Sequence, residues 1–237
     1  MFRKYQLLMF PVMMLLLAQS WAGSFNISPI LMDVPLPGDI ATYRLTNTDS
    51  VPVTVQMSAW QWQQHNGQDE YRKATGIMIV PLMAEIAPGQ SQAVRVAATS
   101  DSRDRELSYR IHFQEVPDSD ASDGVLLRTQ LRIDVPLFFS TGKGAPDLNW
   151  SLATTRQRNQ VAIGAINSGE KFKRLDAITL IDADGDTLVS MRRPFYVLSG
   201  SNRIWVTDSS RSLVAGESIR LLLEQHGSVQ EQLITVQ

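Results

Sequence analysis

Cysteine is missing from all 237 residues, and histidine occurs only three times. The first absence excludes disulfides, thiolate metal sites and cysteine nucleophiles, so stability must come from hydrophobic cores. The second leaves His65, His112 and His226, widely spaced and without metal-ligand pairing. Basic residues are outnumbered, 22 Lys and Arg against 24 Asp and Glu, which gives no support for a nucleic-acid partner or an anionic membrane surface. One long apolar run exists, Leu7 to Leu17, and it is too short and interrupted for a membrane span. Arg3 and Lys4 precede it and Ser20-Trp21-Ala22 follows, so it reads as a secretion signal cleaved after Ala22. Loss of its two basic residues takes the formal charge below the −2 of the full chain. No later stretch is apolar enough to insert in a membrane. The expectation is an exported soluble protein, and a bacterial periplasm suits it best.

Reactive constellations are also missing. There is no Gly-x-Ser-x-Gly elbow. Gly142-Lys143-Gly144 lacks the spacing and the following Ser or Thr of a phosphate loop, and reads as a hinge. In Asp182-Ala183-Asp184-Gly185-Asp186 the glycine comes two positions early for a calcium loop and the closing glutamate is absent, which favours a hairpin turn. His112 shares a strand face with Ser108 and Arg110, where a cleft position is open to it but a surface histidine is favoured. Trp60 and Trp62 share a strand face that suits either sugar stacking or, preferably, one-sided core packing. No catalytic residues, metal site or cofactor are expected, and the chain reads as a non-enzyme.

What is present is strand patterning. From Leu127 the chain alternates, with Leu127, Thr129, Leu131, Ile133 and Val135 on one face and Arg128, Gln130, Arg132 and Asp134 on the other. This strand, placed at 125–139, is long for a globular protein. Before it, strands are expected at Phe25 to Val34, Ile40 to Thr46, Val51 to Trp62, Ile77 to Leu82, Ala93 to Ala98 and Leu107 to Val116, with a polar loop at His65 to Lys73. The breaker-rich segment 141–146 reads as a linker. Beyond it, strands are expected at Leu148 to Thr154, Gln160 to Asn167, Lys173 to Asp182, Thr187 to Met191, Ile204 to Thr207, Ser218 to Glu224 and Glu231 to Val236. The fold class is therefore all-β, two immunoglobulin-like β-sandwich domains joined by a short hinge, with signal 1–22, first domain 23–140, linker 141–146 and second domain 147–237.

Several ordered motifs resemble the periplasmic chaperones of the chaperone–usher pathway, which assemble surface pili. They are Ile86-Ala87-Pro88-Gly89-Gln90 running to Arg95-Val96, Glu106 to Pro117, the long strand ending Val135-Pro136-Leu137-Phe138, Asn167 to Leu175, and Phe195 to Ser199. Tyr109-Arg110 before Glu115-Val116-Pro117, and Pro136 before Leu137-Phe138, resemble the archaic branch. The better-known branch clamps a subunit's C-terminal carboxylate with an arginine and a lysine. Leu31 and Pro136 stand at those positions here, and neither side chain can donate to a carboxylate.

Arg110 lies on the polar face of its strand, opposite Tyr109, Ile111 and Phe113. By itself that fits a solvated arginine or an interdomain salt bridge. The resemblance favours a carboxylate anchor, with Arg132 and Lys143 as helpers. It also implies that Leu127, Thr129, Leu131 and Ile133 form a donor strand that completes a pilus subunit's unfinished sandwich by β-augmentation, before delivery to an outer-membrane usher. An exposed apolar edge invites self-association, so a self-capping oligomer is expected when no subunit is bound. The alternative reading is a secreted carbohydrate-binding or adhesin-like β-sandwich using Trp60 and Trp62.

Overall fold

Alternating apolar residues close two sandwiches in the computed structural model, which describes residues 24–35, 40–99, 105–117 and 130–237. The segment expected to be a signal (1–22), Leu127 and Thr129 lie outside the described residues. In the first half the strands are β1 (Phe25–Ser28), β2 (Met32–Pro35), β3 (Ile40–Asn47), β4 (Val53–His65), β5 (Gln68–Lys73), β6 (Ile77–Val80), β7 (Met83–Ile86), β8 (Ser91–Ala98), β9 (Leu107–Val116) and β10 (Arg132–Ser140). They form a sheet ordered β1-β3-β8-β6 and another ordered β2-β10-β9-β4-β5, with β7 paired to β4. Tyr43, Leu45, Val55, Val94, Ile111, Phe113, Leu137 and Phe139 fill the space between them.

Three expectations need correction. The strand expected from Phe25 to Val34 is broken after Ser28, because Pro29 has no N–H to continue a ladder. β1 then pairs with β3 and β2 with β10, so the chain changes sheet. Pro81 divides Ile77 to Leu82 in the same way, sending β6 to β8 and β7 to β4. The supposed loop from His65 to Lys73 is a hairpin of β4 and β5. Its turn residues Asn66 and Gly67 have φ of 50° and 76°, as a two-residue Asn-Gly hairpin requires.

The second half contains β11 (Leu148–Thr154), β12 (Gln160–Asn167), β13 (Lys173–Ile181), β14 (Thr187–Val197), β15 (Ser201–Asp208), β16 (Ser218–Gln225) and β17 (Ser228–Thr235). Sheets β11-β12-β15 and β14-β13-β16-β17 enclose Leu152, Ile163, Ile178, Leu180, Val197, Ile219 and Leu221. β14 runs past Met191 to Val197, and its irregular register with β13 near Ala177 accommodates the extension.

The two sandwiches meet over a third apolar cluster of Trp62, Phe138 and Leu198, joined by Leu31, Phe172 and Tyr196. β4 shows why. Val53, Val55, Met57 and Ala59 are buried toward the first core, whereas Trp62 and Gln64, on the other face, are buried toward the second sandwich. β10 behaves alike, with Val135, Leu137 and Phe139 turned to the first core and Phe138 stacked on Phe172 at 3.6 Å between ring centroids. Gln64 stitches the junction, donating to the Tyr196 carbonyl and accepting from the Leu198 N–H, both at 2.9 Å. The β4–β5 turn adds a clasp, since Ile204 donates to the Gly67 carbonyl at 3.0 Å and Arg203 pairs with Asp69 at 2.8 Å.

Candidate functional site

β9 and β10 position the expected anchor. Their antiparallel register sets Arg110 opposite Pro136 and His112 opposite Asp134, and on the other side β4 sets Trp60 beside Arg110 and Ser58 beside His112. Side chains two apart on a strand share a face, so Arg110 and His112 from β9 and Arg132 and Asp134 from β10 converge. With Trp60 and Tyr71 they line a cavity of about 440 Å³.

Arg110 is half-buried. Its guanidinium carbon lies 3.9 Å from the Trp62 ring centroid and 5.3 Å from that of Tyr196, so both sandwiches contribute an aromatic face to it. A guanidinium stacked by its face keeps its in-plane N–H donors for a planar acceptor such as a carboxylate. Among the described residues no carboxylate forms an ion pair with it.

Arg132 is placed differently. It holds Asp134 through Nε to Oδ1 at 2.8 Å and Nη2 to Oδ2 at 3.0 Å, and its Nη2 lies 3.2 Å from His112 Nε2. His112 is not the surface histidine favoured from the sequence. It is buried and stacked on Trp60 at 5.5 Å. Burial lowers its pKa below the ordinary imidazole value; Asp134 opposes this, while Arg132 and Arg110 reinforce it. Lys143 is exposed beyond the end of β10 and does not line the cavity.

Of the expected donor row, Leu131 and Ile133 are described, and both are half-buried against the first core. β10 pairs with β9 from Arg132 to Phe139, while β2 covers its other side only from Leu137 to Ser140. Residues 132–136 therefore have an open edge beside the Arg110 cavity, with no strand upon it among the described residues. The sugar-stacking reading loses Trp62, which is only 3% exposed and spent on the junction; Trp60 stacks on His112. Of the two positions the sequence leaves open to His112, the structure shows the cleft one; the aromatic faces around Arg110 are not foreseen from the sequence, although the alternation of β4 places Trp60 and Trp62 on one face.

Leu31 packs at the junction beside Trp62 and Phe138, an apolar contact in keeping with its lack of a donor. Among the described residues, no group of three or more His, Cys, Asp or Glu is arranged to hold a metal ion.

A family model described as pili and flagellar-assembly chaperone, PapD N-terminal domain, matches residues 25–141. No curated protein matches the chain in sequence. In structure the chain is similar to the CsuC–CsuE chaperone–tip adhesion subunit complex from archaic Csu pili of Acinetobacter baumannii, at 24% identity and TM-score 0.68, covering 91% of this chain and 100% of the other. It is similar to the Pseudomonas aeruginosa CupB2 chaperone at 15% identity and TM-score 0.57, covering 90% and 100%. The Salmonella enterica SafA pilin–SafB chaperone complex gives 13% identity and TM-score 0.59, covering 89% and 96%. With the matched domain forming the first sandwich and the shared fold extending through the second, the chain belongs to the pilus-assembly chaperone family.

Proposed function

We propose that this chaperone is a periplasmic protein of the archaic chaperone–usher type that binds incomplete pilus subunits by donor-strand complementation and passes them to an outer-membrane usher. The observation that carries the reading is the open edge of β10 at 132–136, lying beside a half-buried arginine with no ion-pair partner among the described residues. An unfinished subunit sandwich has a vacant strand position, and an exposed strand edge supplies the main-chain donors and acceptors to fill it. Leu127, Thr129, Leu131 and Ile133 would enter the subunit groove at alternate positions, and Arg110 would receive the subunit's terminal carboxylate. Fixing one chain end sets the register, since a slip of one residue turns every apolar side chain away from the groove.

In this reading the division is signal 1–22, chaperone domain 23–140, linker 141–146 and second domain 147–237. The protein works as a binder rather than an enzyme, with no cofactor, and its exposed edge is capped by self-association when no subunit is present. Arg132 contributes less than Arg110 because Asp134 already occupies it.

The test is co-purification from periplasm in which the neighbouring export genes are expressed, using the native protein and a folded Arg110→Ala variant. A small β-rich exported protein, recovered in about equal amount with the native bait and lost with the variant, supports chaperone and anchor together. Recovery with both removes Arg110 from the reading, and recovery with neither removes the chaperone function. Hydrogen exchange on the complex tests the edge: new protection of main-chain amides within 130–136 is expected, and unchanged exchange there overturns the donor assignment.

A further inference from the structure

The Arg110 cavity contains a second arginine that a chain terminus would be expected to use, yet Arg132 is already engaged. Its Nε and Nη2 both donate to Asp134, at 2.8 Å and 3.0 Å, a fork-to-fork pair formed within one strand. Arg110 and Asp134 line the same cavity, but the cross-strand position facing Arg110 on β10 is Pro136, so the ladder puts no acid directly opposite the anchor. The two guanidiniums thus differ in state: one is stacked, meets the Tyr71 hydroxyl and has no ion pair among the described residues, whereas the other is neutralised by its strand neighbour.

Resting on the anchor reading above, we infer that Asp134 is the resident carboxylate of this site, withholding Arg132 from the incoming chain terminus so that Arg110 anchors it alone and the hold remains releasable. Two arginines sharing one carboxylate would bind more tightly than one, and a carrier must also let go. Asp134 is a positioning residue here, since it acts through Arg132. His112 takes part from the side: its Nε2 lies 3.2 Å from Arg132 Nη2 and 3.6 Å from Asp134 Oδ1, so it contacts both members of the pair from β9. Arg132 and Asp134 are 49% and 41% exposed, so their pair is weak and salt-screened, and the withholding it exerts is modest and greatest at low salt.

The experiment is a titration of the folded protein and of Asp134→Asn with acetate, using acetamide as the uncharged control, followed by the Nε–Hε resonances of Arg110 and Arg132. In the native protein acetate is expected to move Arg110 and leave Arg132 in place. In Asp134→Asn both should move, and acetate should bind about three- to tenfold more tightly, a gain that shrinks as salt is raised from about 0.05 to 0.5 M. Asp134→Glu should restore native behaviour. Unchanged acetate affinity in a folded Asp134→Asn protein whose Arg110 still responds overturns the inference and leaves the anchor standing. Silence of Arg110 in both proteins overturns the anchor, and this inference with it.

Discussion

Arg110 and Trp62 are stacked, with the guanidinium carbon 3.9 Å from the indole ring centroid, although one side chain belongs to β9 and the other to β4. Trp62 is itself held by Phe138, Tyr196 and Leu198 at the junction of the two sandwiches. The orientation of the Arg110 guanidinium is therefore tied to how the sandwiches meet.

Arg110→Lys separates charge from geometry. An ammonium keeps the positive charge but loses both the flat stack and the two-pronged donor. Subunit binding, measured by calorimetry, is expected to weaken about ten- to a hundredfold, in line with roughly 1.5–3 kcal/mol for a hydrogen bond to a charged group. Native-like affinity in the lysine variant would reduce the site to a simple point charge.

Gly67 makes the clasp between the sandwiches testable. Its φ is +76°, and an added Cβ would lie 2.7 Å from Cγ1 of Ile204. Gly185 is a control, with φ of +95° and open space around its missing Cβ. Both alanine variants should lose about 1–2 kcal/mol from the left-handed backbone. Gly67→Ala should lose more and, by small-angle scattering, change the arrangement of the sandwiches; equal losses with unchanged scattering would show that Ile204 yields freely.

Much of the fold could be read from alternation alone, because a two-residue period in Ile40 to Thr46 or Gln160 to Asn167 has no competing interpretation. What could not be read were the switches of sheet at Pro29 and Pro81, where an apolar run continues in sequence while its partner strand changes. The hairpin at Asn66-Gly67 was legible in its turn residues, but the polar Gln68–Lys73 hid the strand. The site divides in the same way. Arg110 and Arg132 follow from strand faces, whereas the stack of Arg110 on Trp62 and Tyr196 depends on a junction between segments far apart in the chain. For the same reason, a tryptophan that suits a sugar site in the sequence is an interdomain contact in the fold.

His112 gives the cavity a pH dependence of definite sign. Burial lowers its pKa, so the unfolded chain takes up the proton more readily than the folded one. Its contribution to stability is present above the ordinary imidazole value of about 6.5 and is lost as pH falls through it. Urea titrations from pH 7.5 to 5 should show the native protein losing more stability than His112→Gln over that range. Parallel curves would mean that His112 titrates as it does in the unfolded chain.

Glu106 has the opposite sign. It is buried at the junction, where the Phe172 N–H donates to both carboxyl oxygens at 3.1 and 3.2 Å. Burial pushes its pKa up to about 7, with Asp33 adding to the rise and the Phe172 N–H and Lys171 opposing it. The folded protein therefore keeps this proton to higher pH than the unfolded chain. Stability falls as pH rises from about 4.5 to about 7, and the whole penalty for a buried charge is felt above that. Glu106→Gln keeps an acceptor for the Phe172 N–H but carries no charge. It should exceed the native protein in stability at pH 8 by on the order of 2–3 kcal/mol, with the gap closing by pH 4, when measured by urea unfolding. A gap of the same size at both pH values would assign the effect to packing at the junction rather than to the proton.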